Sequence, residues 1–452
     1  MIVVKFGGTS VGDAAAINRT AQIVKGRLPK SPIVIVSALG GATNALLAVA
    51  EQSSRGHLIG ALRGVETLRD RHLRECDALL GESPECAEVS GELSAMFDEL
   101  AHLAEALATL GHSTPRAFDT IAAYGEQLSA HLVSAYFRQV GIDAEYVDPR
   151  TVMVTDDRFM EAEPREEDIA QKAREILLPV VDNDKVPVMG GFVGATQNGI
   201  TTTLGRGGSD YSASLVGAAL RADAIEIWTD VDGMLTADPR VVEGAQLIEK
   251  IRFDEASELA SFGAKVLHPN TIAPAVKLGI PVFIYNSRRP EGTGTRITFD
   301  APHRPVSAIA GKADVTVVRV TAERMLLAHG FLHRVFEIFA KHQTSVDVVA
   351  TSEVSVSVTI DEAARLDSLI VDLRELGDVS IERNRGILSI VGAGICDAGG
   401  AMGRALMALG EVRIHMMSLS ATGINLTVIV DGDAVNPAMQ RLHREFFGGS
   451  AQ

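Results

Sequence analysis

From Met1 to about Pro290 the chain alternates short apolar runs with segments of helical periodicity. The apolar runs are rich in β-branched residues and bounded by glycine, proline or asparagine, which predicts buried strands. They are IVVKF, PIVIVSA, PVVDNDKVPVMGGF, AIEIWTDV and IPVFIYN. Helical patterns such as Ala14–Arg27, Phe118–Phe137 and Tyr211–Leu220 lie between them. This alternation predicts a mostly parallel sheet covered on both faces, with ligands beyond the carboxyl ends of the strands.

One segment, at about residues 58–110, interrupts the alternation. Its pattern is helical throughout and is broken only at GESPE. Because no strand pattern occurs in it, we expect a helical hairpin inserted into the α/β region.

The chain after RRPEGTGT (Arg288–Thr295) has a different pattern, which occurs twice. Val315–Glu382 reads as strand, helix, strand, strand, helix and strand, and Arg385–Phe447 repeats this order without the last strand. Such an internal repeat indicates duplicated α+β modules. VSAIAG (Val306–Gly311) could supply the missing strand, which predicts that the first module is inserted within the second. The predicted bounds are 1–295 for the first domain, 313–383 for the first module and 303–312 plus 384–449 for the second.

The composition is that of a folded protein of two or three domains. Of 452 residues, 46% are hydrophobic and 22% charged. The net charge of −16, from 42 Lys and Arg against 58 Asp and Glu, argues against a nucleic-acid partner. Cys76, Cys86 and Cys396 fit neither a disulfide framework nor a zinc site. No signal-type segment follows Met1 and no apolar run approaches the roughly 18 residues of a membrane span, so we expect a cytoplasmic protein without a membrane partner.

The first strand leads into a candidate anion site. In VVKFGGTSV, Gly7 and Gly8 follow the strand and precede a helix, so backbone N–H groups could face an anion, and Lys5 could add a positive charge. The alternative is a tight strand–helix turn without a ligand. The sequence is not a P-loop, because the GxxxxGK[ST] pattern is absent.

A second candidate anion site lies in TTTLGRGGSDYSA. Gly207, Gly208 and Ser209 allow a ligand to approach the backbone at a helix start, and Arg206 offers a planar fork for a carboxylate or phosphate. Asp210 could cap the helix or hold a substrate ammonium group. Two such corners in one sheet, one with lysine and one with arginine, indicate phosphoryl transfer to an acidic acceptor. No His–Ser or Cys–His pattern competes with this interpretation.

A dinucleotide site at VGAGICDAGG (Val391–Gly400) is rejected. Asp397 stands in place of the third glycine of GxGxxG, and the remaining chain of about 60 residues is marginal for a domain.

Four motifs together resemble aspartate kinases of the amino-acid-kinase superfamily. They are VVKFGGTSV, TTTLGRGGSDYSA, WTDVDGMLTADPR and FGAKVLHP, in this order. The resemblance extends from end to end and is strongest to the monofunctional, lysine-sensitive class. It implies an α/β amino-acid-kinase fold, an open mostly parallel sheet between helices, followed by two ACT modules of βαββαβ type.

The resemblance also implies an activity. ATP would donate its γ-phosphoryl group to the side-chain carboxylate of L-aspartate, giving ADP and 4-phospho-L-aspartate, the first step toward lysine, threonine and methionine. Mg²⁺ would be held mainly by the phosphates, and no residue is assigned to it. Lys5, Arg206 and Asp210 would be the catalytic set, with Lys5 acting on the transferred phosphoryl group.

The binding residues carried over fall into two groups. Those for aspartate are Ser37, Thr43, Glu126, Arg206, Ser209 and Asp210. Those for the nucleotide are Lys5, Gly7, Gly8, Thr9, Ser10, Thr229, Asp230, Leu235, Arg240, Lys265 and Val266. Arg206 would hold a substrate carboxylate, whereas Glu126 and Asp210 would face the ammonium group. Leu235 stands where the family has tyrosine, and without the resemblance Glu126 would be expected on a solvated helix face.

In the lysine-sensitive class the effector binds between the first ACT modules of two subunits, which implies a homodimer and leaves a tetramer open. The matching positions here are Met325, Ala328, Phe331, Leu332, Val346, Asp347, Ser352 and Glu353. Asp347 and Glu353 would face a cationic ligand, while Phe331 and Val346 could equally be core residues. Because Ala328 replaces an expected serine, we expect weaker inhibition by lysine.

Other functions stay open at this point. A kinase of the same superfamily acting on glutamate or a related acid is disfavoured by the repeated modules and by FGAKVLHP. A ligand-sensing protein without catalysis is disfavoured by Lys5, Arg206, Asp210 and Asp230. A fusion to homoserine dehydrogenase does not fit the length. The effector could be lysine, threonine or none.

Overall fold

The computed structural model describes residues 1–261, 269–322, 329–361, 366–397 and 400–448. Lys265 and Val266, expected at the nucleotide, and Met325 and Ala328, expected at the effector, lie outside the described residues. The chain divides into two compact units, Met1–Met234 with Val266–Asp300 and Leu235–Lys265 with Ala301–Gln452.

Strands and helices are interspersed along the first unit and recur in a repeated order in the second. The strands are β1 (Ile2–Phe6), β2 (Pro32–Val36), β3 (Ala144–Val147), β4 (Val154–Thr155), β5 (Val186–Gly190), β6 (Val193–Thr196), β7 (Thr201–Thr203), β8 (Ala224–Thr229), β9 (Lys250–Ile251), β10 (Val282–Asn286), β11 (Thr295–Ile297), β12 (Ala308–Thr321), β13 (Val349–Thr351), β14 (Ser355–Asp361), β15 (Asp378–Val391), β16 (Met416–Leu419) and β17 (Asn425–Asp431). The helices are α1 (Ala14–Lys25), α2 (Ala42–Ser54), α3 (Leu58–Leu80), α4 (Pro84–Leu110), α5 (Pro115–Gln139), α6 (Glu166–Asp182), α7 (Gly208–Leu220), α8 (Phe253–Ser261), α9 (Ala273–Leu278), α10 (Phe331–Lys341), α11 (Leu366–Leu373), α12 (Ala401–Leu409) and α13 (Val435–Phe447).

The main sheet of the first unit runs in the order β3-β5-β2-β1-β8-β10-β11. All neighbours in this order are parallel except β10 and β11. β1, β2 and β5 are buried at every position, because helices cover the sheet. The carboxyl ends of β1, β2, β5, β8 and β10 therefore meet at one edge, and the predicted mostly parallel sheet is confirmed.

The helical segment shares the core of this sheet. α3 and α4 are separated at Gly81–Ser83, within GESPE, and Ser83 caps α4 by accepting a hydrogen bond from the Cys86 backbone N–H. Val65 on α3 and Phe97 on α4 belong to the same hydrophobic cluster as Phe6 on β1. Burial against the sheet thus fixes α3 beside the loops that follow the strands.

The second unit is built on a six-stranded antiparallel sheet in the order β13-β14-β12-β15-β17-β16. β12 and β15 have 14 residues each and run through both halves of this sheet. Val315–Thr321 pairs with β14, whereas Ala308–Lys312 pairs with Ile387–Val391. We call the half with α10 and α11 the first repeat and the half with α12 and α13 the second repeat. Each repeat combines two helices with strands of this sheet.

The segment after Met234 packs on the second repeat. Ile309 donates its backbone N–H to the Thr236 carbonyl at 2.8 Å, and the Thr236 hydroxyl lies 2.9 Å from His443 Nε2. On α8, Glu255 accepts hydrogen bonds from the Ser307 hydroxyl at 2.7 Å and the Ala393 backbone at 2.9 Å. No helix among the described residues combines the length and apolar character needed to cross a membrane.

Candidate active site

A cavity of about 400 Å³ lies at the carboxyl edge of the first unit's sheet. Its walls come from the loops after β1, β2, β5 and β7, and from α5 and the start of α7. It is lined by Lys5, Gly8, Ser37, Ala38, Leu39, Gly40, Gly41, Thr43, Asn44, Glu126, Phe192, Gly205, Arg206, Gly207, Gly208, Ser209 and Asp210. Every residue expected to bind aspartate is in this set. The structure thus brings together side chains that are far apart in the sequence.

The first corner joins β1 to α1. Gly7 donates its backbone N–H to the Trp228 carbonyl at 2.9 Å, which ties the corner to β8. A Cβ at Gly8 would lie 3.0 Å from the Ala38 carbonyl oxygen, so only glycine fits without a shift. Gly8 lines the cavity, whereas the side chain of Thr9 is exposed. The Gly7 N–H is thus occupied by Trp228 and the Ala38 carbonyl fills the space beside Gly8, so the cationic group of this corner that lines the cavity is Lys5.

The second corner joins β7 to α7. Gly207 has φ of 75°, a left-handed conformation that favours glycine, and α7 begins at the next residue. Asp210 lies in the first turn of α7, where a negative charge is favoured by the helix dipole. Arg206 is exposed, and no carboxylate within the described ranges pairs with it. Its guanidinium group is therefore available to an anion in the cavity.

Lys5 and Asp210 form an ion pair inside the cavity. Lys5 Nζ lies 2.6 Å from Asp210 Oδ1, and the two side chains are 9% and 14% exposed. Both groups line the same cavity as Arg206. The pair compensates two charges inside the cavity, which lowers the cost of burying them.

Glu126 projects from α5 into the cavity and is 3% exposed. The expectation of a solvated helix face is therefore wrong for this residue. Burial raises the pKa of its carboxyl to about 8, although the backbone of Ala38, its own backbone and Lys5 all favour the charged form. Its Oε2 has no hydrogen-bond partner among the described residues. A buried carboxyl with a free oxygen is suited to a cationic ligand group.

Asp119 was missed by the sequence analysis. It lies on α5 seven positions before Glu126, a spacing that places both on one face. Its carboxylate accepts hydrogen bonds from the Met160 backbone at 2.9 Å and from the Thr203 hydroxyl at 2.6 Å. These bonds hold the end of β7 next to the second corner. The helical spacing from Glu126 is the only sequence signal for it.

A polar cluster lies beyond β8 and β10. The hydroxyl of Ser10 donates to Ser287 at 2.7 Å, and the hydroxyl of Ser287 donates to the Thr229 carbonyl at 3.1 Å. The Thr229 hydroxyl donates to Asp230 at 3.3 Å. Thr229, Asp230 and Ser10 were expected at the nucleotide, and the structure joins the loops that carry them.

Four further residues near these strand ends were missed. Asn286 Nδ2 donates to Asp232 Oδ1 at 2.8 Å, and Arg289 Nη2 lies 2.7 Å from Asp232 Oδ2. Ser287 belongs to the polar cluster. Asn286 ends the predicted strand IPVFIYN, and Asp232 follows AIEIWTDV. Their position at the ends of strands could therefore have identified them as candidate site residues. Asn44 and Phe192, which line the cavity, had no such signal.

Leu235 and Arg240 belong to the second unit. Leu235 forms an isolated antiparallel bridge with Leu247. Arg240 is 80% exposed and pairs with Asp238, with Nη2 2.6 Å from Oδ2. Neither residue is among those that line the cavity, and their contact with a nucleotide stays a prediction.

The described residues expected at the effector lie in the first repeat. Phe331 is buried in its core, and Val346 packs against that core. Leu332 and the turn with Ser352 and Glu353 are exposed. The side chain of Asp347 is 26% exposed and lies 3.5 Å from Lys312 Nζ.

Ser352 Oγ lies 2.8 Å from Ser355 Oγ. For Asp347, burial raises the pKa of the carboxyl most, and Asp361 adds to this, whereas Lys312 opposes it. Lys312 also pairs with Asp361, so one cation serves both carboxylates.

Comparisons with known proteins define the class first. The amino acid kinase family matches residues 1–286, and the ACT domain family matches residues 388–446. The first unit thus has the amino-acid-kinase fold, and a regulatory type of α+β module follows it.

Relatives then define the family within this class. Lysine-sensitive aspartokinase 3 of Escherichia coli is 36% identical over 99% of both chains. The chloroplastic aspartokinase 3 of Arabidopsis thaliana is 34% identical over 98% of this chain and 81% of its own length. The crystal structure of E. coli aspartokinase III with aspartate and ADP (R-state) has a TM-score of 0.86 at 37% identity, with 99% of this chain and 100% of that chain covered. The same enzyme with lysine and aspartate (T-state) has a TM-score of 0.82 at 36% identity, with 99% of each chain covered. The chain belongs to the aspartokinases, the kinases that transfer phosphate from ATP to aspartate.

Proposed function

We propose that this chain transfers the γ-phosphoryl group of ATP to the side-chain carboxylate of L-aspartate, and that the cavity is where aspartate binds. The observation that carries this proposal is the gathering of Lys5, Arg206, Glu126 and Asp210 around one cavity of about 400 Å³. The E. coli relative that was crystallised with aspartate and ADP supports the choice of substrates.

The charges around the cavity complement aspartate. The substrate carries two carboxylates and one ammonium group at neutral pH. Arg206 offers a free guanidinium fork for the α-carboxylate, and Glu126 offers a buried carboxyl for the ammonium group. A cavity with charges of both signs at fixed positions orients a short diacid and disfavours a longer one.

In the reaction, an oxygen of the side-chain carboxylate attacks the γ-phosphorus as the bond to the bridging oxygen of ADP breaks. Lys5 stabilises the negative charge on the transferred phosphoryl group, because its ammonium group, which pairs with Asp210, has three N–H donors to offer phosphate oxygens. Catalysis consists of positioning and electrostatic stabilisation, since the protein forms no covalent bond with the substrate.

The nucleotide phosphates bind at the first corner. Gly8 lines the cavity with Lys5 on the side of this corner, and the polar cluster of Ser10, Ser287 and Thr229 holds the neighbouring loops together. Mg²⁺ would accompany the nucleotide, bound mainly by its phosphates, and would neutralise part of their charge. Thr229 and Asp230 extend the nucleotide site along the end of β8.

Lysine inhibits the enzyme through the first repeat of a homodimer. The lysine-sensitive E. coli relative, crystallised with lysine and aspartate, supports this part of the proposal. In this chain Asp347 offers a partly buried carboxylate and Glu353 an exposed one. Both could pair with a cationic amino acid.

The deciding experiment incubates the purified chain with Mg-ATP and single acidic amino acids, and traps the acyl phosphate with hydroxylamine. We expect hydroxamate from L-aspartate and far less from L-glutamate, because misplacing a reacting atom by about 1 Å can cost about a hundredfold in rate. D-aspartate and succinate serve as controls, since they lack the correct ammonium position. Equal rates with aspartate and glutamate would contradict the proposal.

A further inference from the structure

The helical hairpin of α3 and α4 reaches the active-site loops through one side chain. Arg71, on α3, donates from Nη1 to the Gly40 carbonyl at 2.8 Å and from Nη2 to the Gly12 carbonyl at 2.8 Å. Gly40 lies in the loop after β2, which lines the cavity, and Gly12 lies in the loop between β1 and α1. A single guanidinium group therefore joins the two loops.

The same helix makes a second bond to the first of these loops. Glu75, one turn after Arg71, accepts the backbone N–H of Ala14 at 2.8 Å. Ala14 is the first residue of α1, whose N–H has no partner within its own helix. The two side chains thus bond to three backbone groups that the loops themselves leave free.

The two loops are in close backbone contact at the point where Arg71 joins them. A Cβ at Gly40 would lie 3.2 Å from the Gly8 carbonyl oxygen, and a Cβ at Gly12 would lie 3.2 Å from the same atom. Gly8 and Gly40 both line the cavity. A change in the spacing of the loops would therefore move the wall of the site.

We infer that Arg71 is a positioning residue, which holds the phosphate-side loop and the aspartate-side loop in the register needed for phosphoryl transfer. Its planar fork presents two parallel N–H groups, a geometry that a lysine cannot reproduce. The helical hairpin thereby keeps the two active-site loops in place. Val65 and Leu68 in the hydrophobic core hold α3 in position. This inference rests on the proposed function, since it takes the cavity to be the site of transfer.

The test compares Arg71→Ala and Arg71→Lys with Arg63→Ala, in the full-length chain. Arg63 lies on the same helix, is exposed, and its side chain has no ion pair among the described residues, so it is a matched control. We expect Arg71→Ala to lower kcat by about 10- to 100-fold with smaller changes in both KM values, because the bound groups lose alignment. The kcat of Arg71→Lys should lie between that of Arg71→Ala and that of the unsubstituted chain. The kcat of Arg63→Ala should equal that of the unsubstituted chain.

Added guanidinium ion distinguishes a local role of Arg71 at the loops from a role in overall stability, because only the local role predicts a recovery of kcat. At about tens of millimolar, far below the molar range that denatures proteins, it should restore part of the kcat of Arg71→Ala. Sodium chloride at the same concentration should not, and Arg63→Ala should respond to neither salt. Recovery of kcat with guanidinium alone would support a local bond to the loops.

Two results would overturn the inference. One is a lower thermal midpoint in Arg71→Ala with unchanged kcat at temperatures where it is folded. The other, which decides the matter if Arg71→Ala does not fold, is a kcat of Arg71→Lys equal to that of the unsubstituted chain. Failure of the unsubstituted chain to phosphorylate aspartate would instead overturn the proposed function, so the two failures are distinguishable.

Discussion

Lys5 Nζ lies 2.6 Å from Asp210 Oδ1, so the residue assigned to the phosphoryl group touches a residue assigned to the substrate ammonium group. Lys5 lies near the end of β1 and Asp210 in the first turn of α7. In the proposed reaction Lys5 directs N–H donors to the phosphate and Asp210 directs its carboxylate to the substrate ammonium group. The ion pair therefore links the two halves of the reaction.

Lys5→Met should lower kcat by about 10²–10³-fold, the usual effect of removing one electrostatic donor to a transition state. The KM for ATP should change less, because the loss falls on the chemical step. Lys25→Met is the matched control, since Lys25 lies at the opposite end of α1 from the corner. Steady-state kinetics with ADP detection measure both variants, and near-normal turnover of Lys5→Met would remove Lys5 from its assigned role.

Arg206→Ala should act mainly on aspartate binding. A hydrogen bond to a charged group is worth about 1.5–3 kcal/mol, which corresponds to a rise in the aspartate KM of about 10- to 150-fold. The KM for ATP, measured in the same assays, is the internal control and should stay nearly unchanged. The aspartate KM of Arg206→Lys should lie between those of Arg206→Ala and the unsubstituted chain, because lysine keeps the positive charge and loses the planar fork. An unchanged aspartate KM in Arg206→Ala would show that the guanidinium does not contact the substrate.

Much of this site could be predicted because its residues follow strands. Lys5, Thr229 and Asp230 stand at the ends of apolar, β-branched runs, and parallel strands bring such ends to one edge. Arg206 and Asp210 were found because glycines mark a corner before a helix. These signals are local, so they can be read along the chain without knowing which loops meet.

Arg71 and Asp119 could not be predicted in the same way. Arg71 bonds to backbone carbonyls 31 and 59 positions away, and Asp119 bonds to the backbones of Met160 and Thr203, 41 and 84 positions away. Any residue type can supply a backbone hydrogen-bonding group, so the partners of these side chains cannot be recognised from the sequence. Neither side chain belongs to a recognisable motif. The raised pKa of Glu126 depends on the packing around α5, which periodicity alone does not reveal.

Glu126 should make aspartate binding depend on pH. Its pKa of about 8 means that the free enzyme carries a neutral carboxyl below pH 8, whereas the substrate ammonium group requires the anion. We expect kcat/KM for aspartate to rise about tenfold per pH unit below pH 8 and to level off above it. Substrate binding below pH 8 should release a proton, which calorimetry in two buffers measures. Glu126→Gln should remove this pH dependence, and an unaltered profile in that variant would assign the titration to another group.

The carboxyl of Glu126 should also make the stability of the fold depend on pH. Its contribution to stability should fall as the pH rises, whereas kcat/KM for aspartate should rise. The folded-state pKa of Glu126 is raised from 4.5 to about 8, so the folded chain binds this proton more tightly than the unfolded chain. Its contribution to the free energy of unfolding should therefore fall as the pH rises from 4.5 to about 8 and stay constant above that. The difference in thermal midpoint between Glu126→Gln and the unsubstituted chain should grow in favour of the variant over this range. A difference that does not vary with pH would contradict the raised pKa.

Ala328→Ser should strengthen inhibition by lysine. The added hydroxyl would supply the contact that the lysine-sensitive class has, and a hydrogen bond to a charged group is worth about 1.5–3 kcal/mol. The lysine concentration for half-inhibition should fall by about tenfold or more. Ala421→Ser, in an exposed turn of the second repeat, is the control and should leave it unchanged. An equal effect of both substitutions would exclude a specific contact at Ala328.

Lys312→Met should also make the enzyme more sensitive to lysine. Lys312 Nζ lies 3.5 Å from Asp347 Oδ2, so the chain's own ammonium group competes with a cationic effector for this carboxylate. A partly exposed pair of this kind is worth about 0.2–1 kcal/mol, so its removal should lower the half-inhibiting lysine concentration by up to about fivefold. Lys341→Met, which removes an ion pair with Asp372 in the same repeat, is the matched control. Asp347→Asn should abolish inhibition and leave kcat intact. If millimolar lysine changes neither the rate nor the thermal midpoint of the unsubstituted chain, then threonine or no effector is the correct assignment, and the pair of Lys312 and Asp347 is only structural.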